Sequence, residues 1–300
     1  MTTVAQRRSG ASGASGASGA PVPKARSSRR FTGGRAAIWV LLVIGAIITV
    51  LPVYWIFVTA VSPPSQVNTS QFYLWPSSLN WNNFATAFQT QPIVTWFLNS
   101  AVITVGAVIV TVLTSLLGGY AFAKYKFPGR DLLFVLILVT ITVPIQVIMV
   151  PEFVIVNKLG LTDTPWAVIL PRSAEAIAIF MARQFMLNIP DEMINAARVD
   201  GAGELTIFWR IVLPMSGPLI AVLVILTFVW RWNEFIWPLI ALPSIDSFTL
   251  PVGLNSMDSV YNSATGSIMA VSLISIVPVL LVFLVFQRRF VQGMASTGLK

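Results

Sequence analysis

The chain has 300 residues, of which 56% are hydrophobic and only 10% charged, with a formal net charge of +8. Soluble domains carry about 25% charged residues, so this composition argues against a soluble enzyme, a disordered protein or a nucleic-acid-binding domain. There is no His and no Cys, which excludes disulfides, thiol and imidazole chemistry, and metals held by His or Cys.

The basic charge is concentrated at the start. Residues 1–35 hold Arg7, Arg8, Lys24, Arg26, Arg29, Arg30 and Arg35 and no acid, nearly the whole of the net charge. Ser9 to Ala20 repeats Ser-Gly-Ala, a composition with nothing to bury. Residues 1–35 therefore read as a disordered, basic, cytoplasmic tail. Its cations either attract it to anionic lipid or only set topology.

A helix that crosses a bilayer needs about 20 apolar residues. No charged residue occurs from Ala36 to Ala123, yet this stretch divides by composition. Ala36–Val61 and Phe97–Ala123 are apolar and read as the first two spans. Between them Ser62–Trp96 is polar and uncharged, with Phe72, Tyr73, Trp75 and Trp81 suited to a membrane interface. Leu132–Pro151 reads as the third span, after a turn at Pro128 and Gly129. Pro165–Met186 is the fourth, with Arg172 and Glu175 inside it. Leu213–Ile240 is the fifth and Ala264–Phe286 the sixth, stopped by Arg288 and Arg289. The expected fold is all-α: a polytopic membrane protein whose residues 36–300 form one domain of six transmembrane helices. With the N-terminus inside, all 19 basic residues except Lys158, Arg172 and Arg231 fall on the cytoplasmic side. The positive-inside rule then puts both termini in the cytoplasm of a bacterial-type cell (inner) membrane.

Residues 188–214 form a polar cytoplasmic segment between the fourth and fifth spans. Pro190 suits a helix start, and Asp191 and Glu192 suit the positive end of a helix dipole. Gly201 and Gly203 suit its end. About three turns between Pro190 and Asp200 cannot cross a membrane. Met193, Ala196 and Ala197 share a face by i, i+3 and i+4 spacing, and such a face is covered either by a partner or by the membrane surface.

Ala196 and Ala197 are followed at fixed spacing by Gly201, Ile211, Leu213 and Pro214, with Arg198, Asp200 and Ala202 between. This pattern resembles the cytoplasmic loop motif of the integral-membrane subunits of ABC importers: E-A-A, three residues, G, nine residues, I-x-L-P. Asn195 stands where the motif has Glu, keeping hydrogen bonding but not charge. Asn99-Ser100, GYAFAKYKFPGR (Gly119–Arg130), WNEFIWPL (Trp232–Leu239) and QRRFVQGM (Gln287–Met294) resemble the carbohydrate-uptake, maltose-transporter-like branch. The resemblance implies a type I importer permease fold and three kinds of partner: a second homologous permease, a dimeric ABC ATPase and an extracytoplasmic sugar-binding protein. It implies ATPase coupling through Glu192, Asn195, Ala196, Ala197, Asp200, Gly201, Ile211, Leu213 and Pro214. ATP and Mg would be bound by the partner ATPase, and no cofactor by this chain. The chain carries no G-x-x-x-x-G-K-[ST] phosphate loop.

Ionisable groups inside a bilayer are functional candidates by default. Arg172/Glu175 and Arg231/Glu234 are each three residues apart, so each pair can neutralise itself on one helix face. Arg172, Glu175, Asn233 and Glu234 are the substrate-pathway candidates, set against structural pairing for the charged ones. The expected function is a sugar-importing permease subunit, not an enzyme, working by alternating access. The alternatives are an ion-coupled secondary transporter and an importer of a non-sugar solute such as glycerol phosphate.

Overall fold

The computed structural model describes residues 33–69, 71–260 and 265–297, and regular structure among the described residues is entirely helical. The expected tail, up to residue 32, lies outside them. In order the helices are α1 (Gly33–Ala60), α2 (Pro64–Val67), α3 (Asn82–Thr90), α4 (Ile93–Lys124), α5 (Arg130–Val139), α6 (Ile145–Lys158), α7 (Trp166–Ile169) and α8 (Ala176–Met186). They continue with α9 (Asp191–Val199), α10 (Glu204–Ile207), α11 (Leu213–Met215), α12 (Gly217–Trp232), α13 (Ile236–Ala241), α14 (Leu250–Val260) and α15 (Thr265–Thr297). A π-helical turn, Phe208–Val212, joins α10 to α11.

The chain divides into two units, residues 1–49 and 50–300. The described part of the first is the N-terminal portion of α1, in which every residue from Ala36 to Thr49 is exposed. A helix so apolar and so exposed offers a surface to lipid or to another apolar chain rather than to water.

The second unit is organised on α4, along which α8 and α12 pack. Small residues set the close approach. A Cβ built on Gly119 would lie 2.4 Å from Ala182 Cβ, so only glycine fits there. At the N-terminal end of α4, Trp96 Nε1 donates to Ile245 O (2.8 Å), Asn99 Nδ2 to Asp246 O (2.7 Å), and Ser100 Oγ accepts from Leu250 N (2.7 Å). These bonds tie the loop before α14 to α4, satisfying backbone groups that have no helical partner.

Three of the expected spans are continuous helices: Ala36–Ala60, Ile93–Lys124 and Thr265–Gln287. The other three are not, and proline stands at or beside the breaks. The third divides into Arg130–Thr142 and Ile145–Lys158, bent by 106°. Pro144 lacks an amide hydrogen and restricts the residue before it, and Val143 is extended at φ −81, ψ 118. The second piece also runs past the expected end at Pro151 to Lys158. The fourth uncoils between Ile169 and Ala176, around Pro171, leaving α8 as an 11-residue helix. In the fifth, Glu204–Met215 meets Gly217–Trp232 at 78°, beside Pro214 and Pro218, and the helix breaks again after Trp232. Among the described residues, three to five segments are long and apolar enough to cross a membrane, depending on whether each bent pair is one span.

Candidate functional site

Two constellations stand out, one around α9 and one buried between α6, α12 and the uncoiled segment 170–175.

The expected short helix is α9, Asp191–Val199, with Pro190 at its N-cap and Asp191 and Glu192 in its first turn. It ends in a Schellman motif: Gly201 N donates to Arg198 O (3.0 Å) and Ala202 N to Ala197 O (2.9 Å). Gly201 carries φ +83, the left-handed conformation that favours glycine. Ile194 is its buried residue, 2% exposed, in a core with Leu116, Met186, Ile207 and Phe208. The expected shared face divides. Ala197 turns partly inward against that core, whereas Met193 and Ala196 turn outward with Glu192, Asn195 and Asp200. Val199 and Leu205 extend the outward apolar surface at 88% and 71% exposed. Ile211 and Leu213 pack against the same core as Ala197. Pro214 is exposed, immediately before the 78° bend.

Polar contacts hold both ends of α9. Lys124 Nζ donates to Ile189 O (2.6 Å) and to Asp191 Oδ1 (2.6 Å). Its hydrogen bond and positive charge hold the Asp191 carboxyl below the ordinary carboxylate value. At the other end Arg198 binds Glu204 with both prongs, Nε to Oε1 (2.7 Å) and Nη2 to Oε2 (3.2 Å), while Nη1 donates to Asn195 Oδ1 (3.2 Å). The Glu204 carboxylate raises the Arg198 guanidinium above its usual value. Tyr125 OH donates to Glu204 Oε2 at 2.5 Å. Burial, then that hydrogen bond, pushes its phenol up.

The second constellation gathers five charges. Arg231 binds Glu234 at 2.5 Å and also Glu175. Arg172 lies 3.1 Å from Glu152 and 3.5 Å from Glu234. The local Arg231/Glu234 pair expected from spacing is therefore present, but Arg172 and Glu175 do not pair with each other. The reason is the uncoiling of 170–175: Glu175 is extended at φ −83, ψ 124, so no helix turn brings the two side chains onto one face. Both arginines are buried, with side chains 7% exposed. The Arg172 guanidinium also lies 5.5 Å from the Trp237 ring centroid. Thr111 Oγ1 donates to Arg172 O (3.0 Å), and Thr114 Oγ1 to Ser173 O, so α4 satisfies carbonyls that the uncoiled backbone leaves free. Glu152, absent from the expected site, lies between two apolar runs of α6. That lone acid beyond Pro151 was its only sequence signal. Asn233 is exposed and Nδ2 donates to Val229 O (2.8 Å). Among the described residues no group of three or more Asp or Glu is gathered to hold a metal ion.

Comparison with known proteins identifies the family and the fold. The profile of the binding-protein-dependent transport system inner membrane component family matches residues 111–296. The arabinooligosaccharides transport system permease protein AraQ of Halalkalibacterium halodurans is 38% identical over 267 residues, covering 87% of this chain and 96% of that protein. The sn-glycerol-3-phosphate transport system permease protein UgpE of Yersinia pestis is 33% identical, covering 86% of this chain and 95% of that protein. A chain of a bacterial ABC transporter involved in the import of the acidic polysaccharide alginate superposes with a TM-score of 0.76 at 25% identity, over 88% of this chain and 98% of that one.

Proposed function

The chain belongs to the binding-protein-dependent transport system inner membrane components, the permease subunits of ABC importers, and we propose that its own solute is a sugar. The observation that carries the mechanism is α9: a short helix held by polar contacts at both ends, with one residue anchored in the core and an outward surface of Met193, Ala196 and Val199, continued by Leu205 of α10. In this reading the partner ATPase, which binds ATP and Mg, covers that surface. Glu192, Asn195, Ala196, Asp200 and Gly201 meet or shape the contact. Ala197, Ile211, Leu213 and Pro214 carry it into the bent helix that follows. Closure of the ATPase dimer displaces α9, and the helices rock between inward- and outward-facing states with a second permease subunit. An extracytoplasmic binding protein delivers the solute, and this chain itself catalyses no reaction. Both termini are cytoplasmic.

The AraQ relatives favour an oligosaccharide; the UgpE relatives favour sn-glycerol 3-phosphate as the second reading. Arg172, Glu175 and Glu234 are engaged with one another's partners, which supports a framework role. Asn233, exposed and uncharged, is the pathway candidate that remains. The test is purification of the tagged chain from its native membrane with its partners, followed by ATPase assays in lipid. Stimulation by a binding protein loaded with neutral oligosaccharide is expected. Stimulation by glycerol 3-phosphate alone selects the second reading, and uptake by the isolated chain overturns both.

A further inference from the structure

Lys124 and Tyr125 are neighbours in sequence, yet they reach opposite ends of α9. Lys124 fastens its start through Ile189 O and Asp191. Tyr125 fastens its end through Glu204, which in turn holds Arg198. We propose that Lys124 and Glu204 are positioning residues that fix both ends of α9 to the C-terminal end of α4, so that a displacement of α9 moves α4 as one rigid body with it. The proposal rests on the reading of α9 as the helix that meets the ATPase.

The mechanical argument starts from Ile194. One buried side chain on a nine-residue helix is a pivot: it resists withdrawal but not rolling. A push on Met193, Ala196 or Val199 would turn such a helix about Ile194 and be lost. Two polar tethers, one beyond each end of the pivot, remove that rotation. Their chemistry suits the task. The Lys124 side chain is only 5% exposed, so its stem is held by packing and its ammonium has little freedom. Arg198 meets Glu204 with a planar two-pronged fork, which fixes orientation as well as distance. The left-handed turn at Gly201 makes this possible, because it reverses the chain so that Glu204 faces back to Arg198. Glu204 also opens α10, which leads through the π turn into α12, and α12 packs on α4. Both routes out of α9 thus end on the same helix. Asn195 fits the arrangement: it gives Arg198 a neutral acceptor at 3.2 Å, whereas a carboxylate there would compete with Glu204 for the guanidinium.

The test uses the full chain in complex with its ATPase, in lipid, with two readouts: amide hydrogen exchange over residues 188–205, and solute taken up per ATP hydrolysed. Charge-assisted hydrogen bonds of this kind predict that Glu204→Gln and Lys124→Met each raise exchange across α9 by about tenfold. Uptake per ATP should fall in the same variants while the complex still assembles. Asn195→Glu should shift both readouts in the same direction by less. Tyr125→Phe, which keeps the ring and removes only the hydroxyl that reaches Glu204, should shift both readouts as Glu204→Gln does with the complex still assembled, which mere loss of folded protein would not allow. Unchanged exchange in the two single variants overturns the proposal, as does faster exchange with normal uptake per ATP. Faster exchange in the variants, with no ATP-driven uptake by the unaltered complex, supports the fastening and overturns the functional reading.

Discussion

Arg198 and Arg231 both bind carboxylates, but in surroundings that give the same bond different worth. The Arg198–Glu204 side chains are 37% and 44% exposed, whereas those of Arg231 and Glu234 are 7% and 14% exposed. Where water reaches a pair, breaking it lets both charges rehydrate, so the net contribution is small. Where water is excluded, removing one partner strands the other, and the cost is the desolvation of an unpaired charge. Breaking the exposed Arg198–Glu204 pair therefore costs less than breaking the buried group, although the pair still sets the orientation of α9. The buried five-charge group, which joins α6, α12 and the uncoiled segment 170–175, behaves as a fixed joint.

The largest expected effect lies in the buried group. Arg231→Met leaves Glu175 and Glu234 without their shared cation and should destabilise the protein by about 3–5 kcal/mol. Thermal unfolding in detergent measures this, and a loss below about 1 kcal/mol would erase the distinction between the two regions. Next is Gly201→Val, which forces a β-branched residue to φ +83 at an expected strain of about 1–2 kcal/mol. It should leave the buried group intact and lower uptake per ATP; normal coupling in that variant argues against α9 as the moving part. Smaller again is salt. Raising ionic strength to about 1 M shortens the screening length to about 3 Å. Exchange at α9 should quicken modestly, with no change around Arg231. An equal response of both regions would contradict the assigned difference in solvent access.

The smallest effect is that of acid on Asp191. Its carboxyl is held below the ordinary value by the Lys124 hydrogen bond. A lowered folded-state pKa gives stability that is present in full above the unfolded value of about 3.9 and is lost as pH falls through the folded one. Pepsin cleavage within residues 187–205 should therefore increase as pH drops below about 4. In Asp191→Asn that added increase should disappear.

The α9 region was legible because its signals are local. Pro190, two acids and Gly201 mark a helix within twelve residues, and Asp191–Val199 is what forms. The buried group was legible only in part. Arg231 and Glu234 are neighbours on one turn, but the partner of Glu175 is 56 residues away, and no spacing rule reaches that far. Hydropathy marked three segments that form continuous helices and misjudged the continuity of the other three, because it reads composition whereas the breaks depend on single residues such as Pro144 and Pro171. Glu204 was passed over for a related reason. It lies beyond the glycine that ends α9, and nothing in the sequence shows that the chain turns back.

The shortness of α8 also bears on how the protein is made. Eleven residues give a rod of about 16 Å, roughly half the thickness of a bilayer's hydrocarbon layer. With open backbone before it, such a piece gains little by moving into lipid alone. It settles against α4, where Gly118 meets Ile179, Gly119 meets Ala182, and Thr111 and Thr114 cover the bare carbonyls just upstream. α4 is translated earlier and is long and apolar enough to span a bilayer by itself. The ribosome thus delivers the template before the segment that depends on it, and order of synthesis becomes part of the folding instructions.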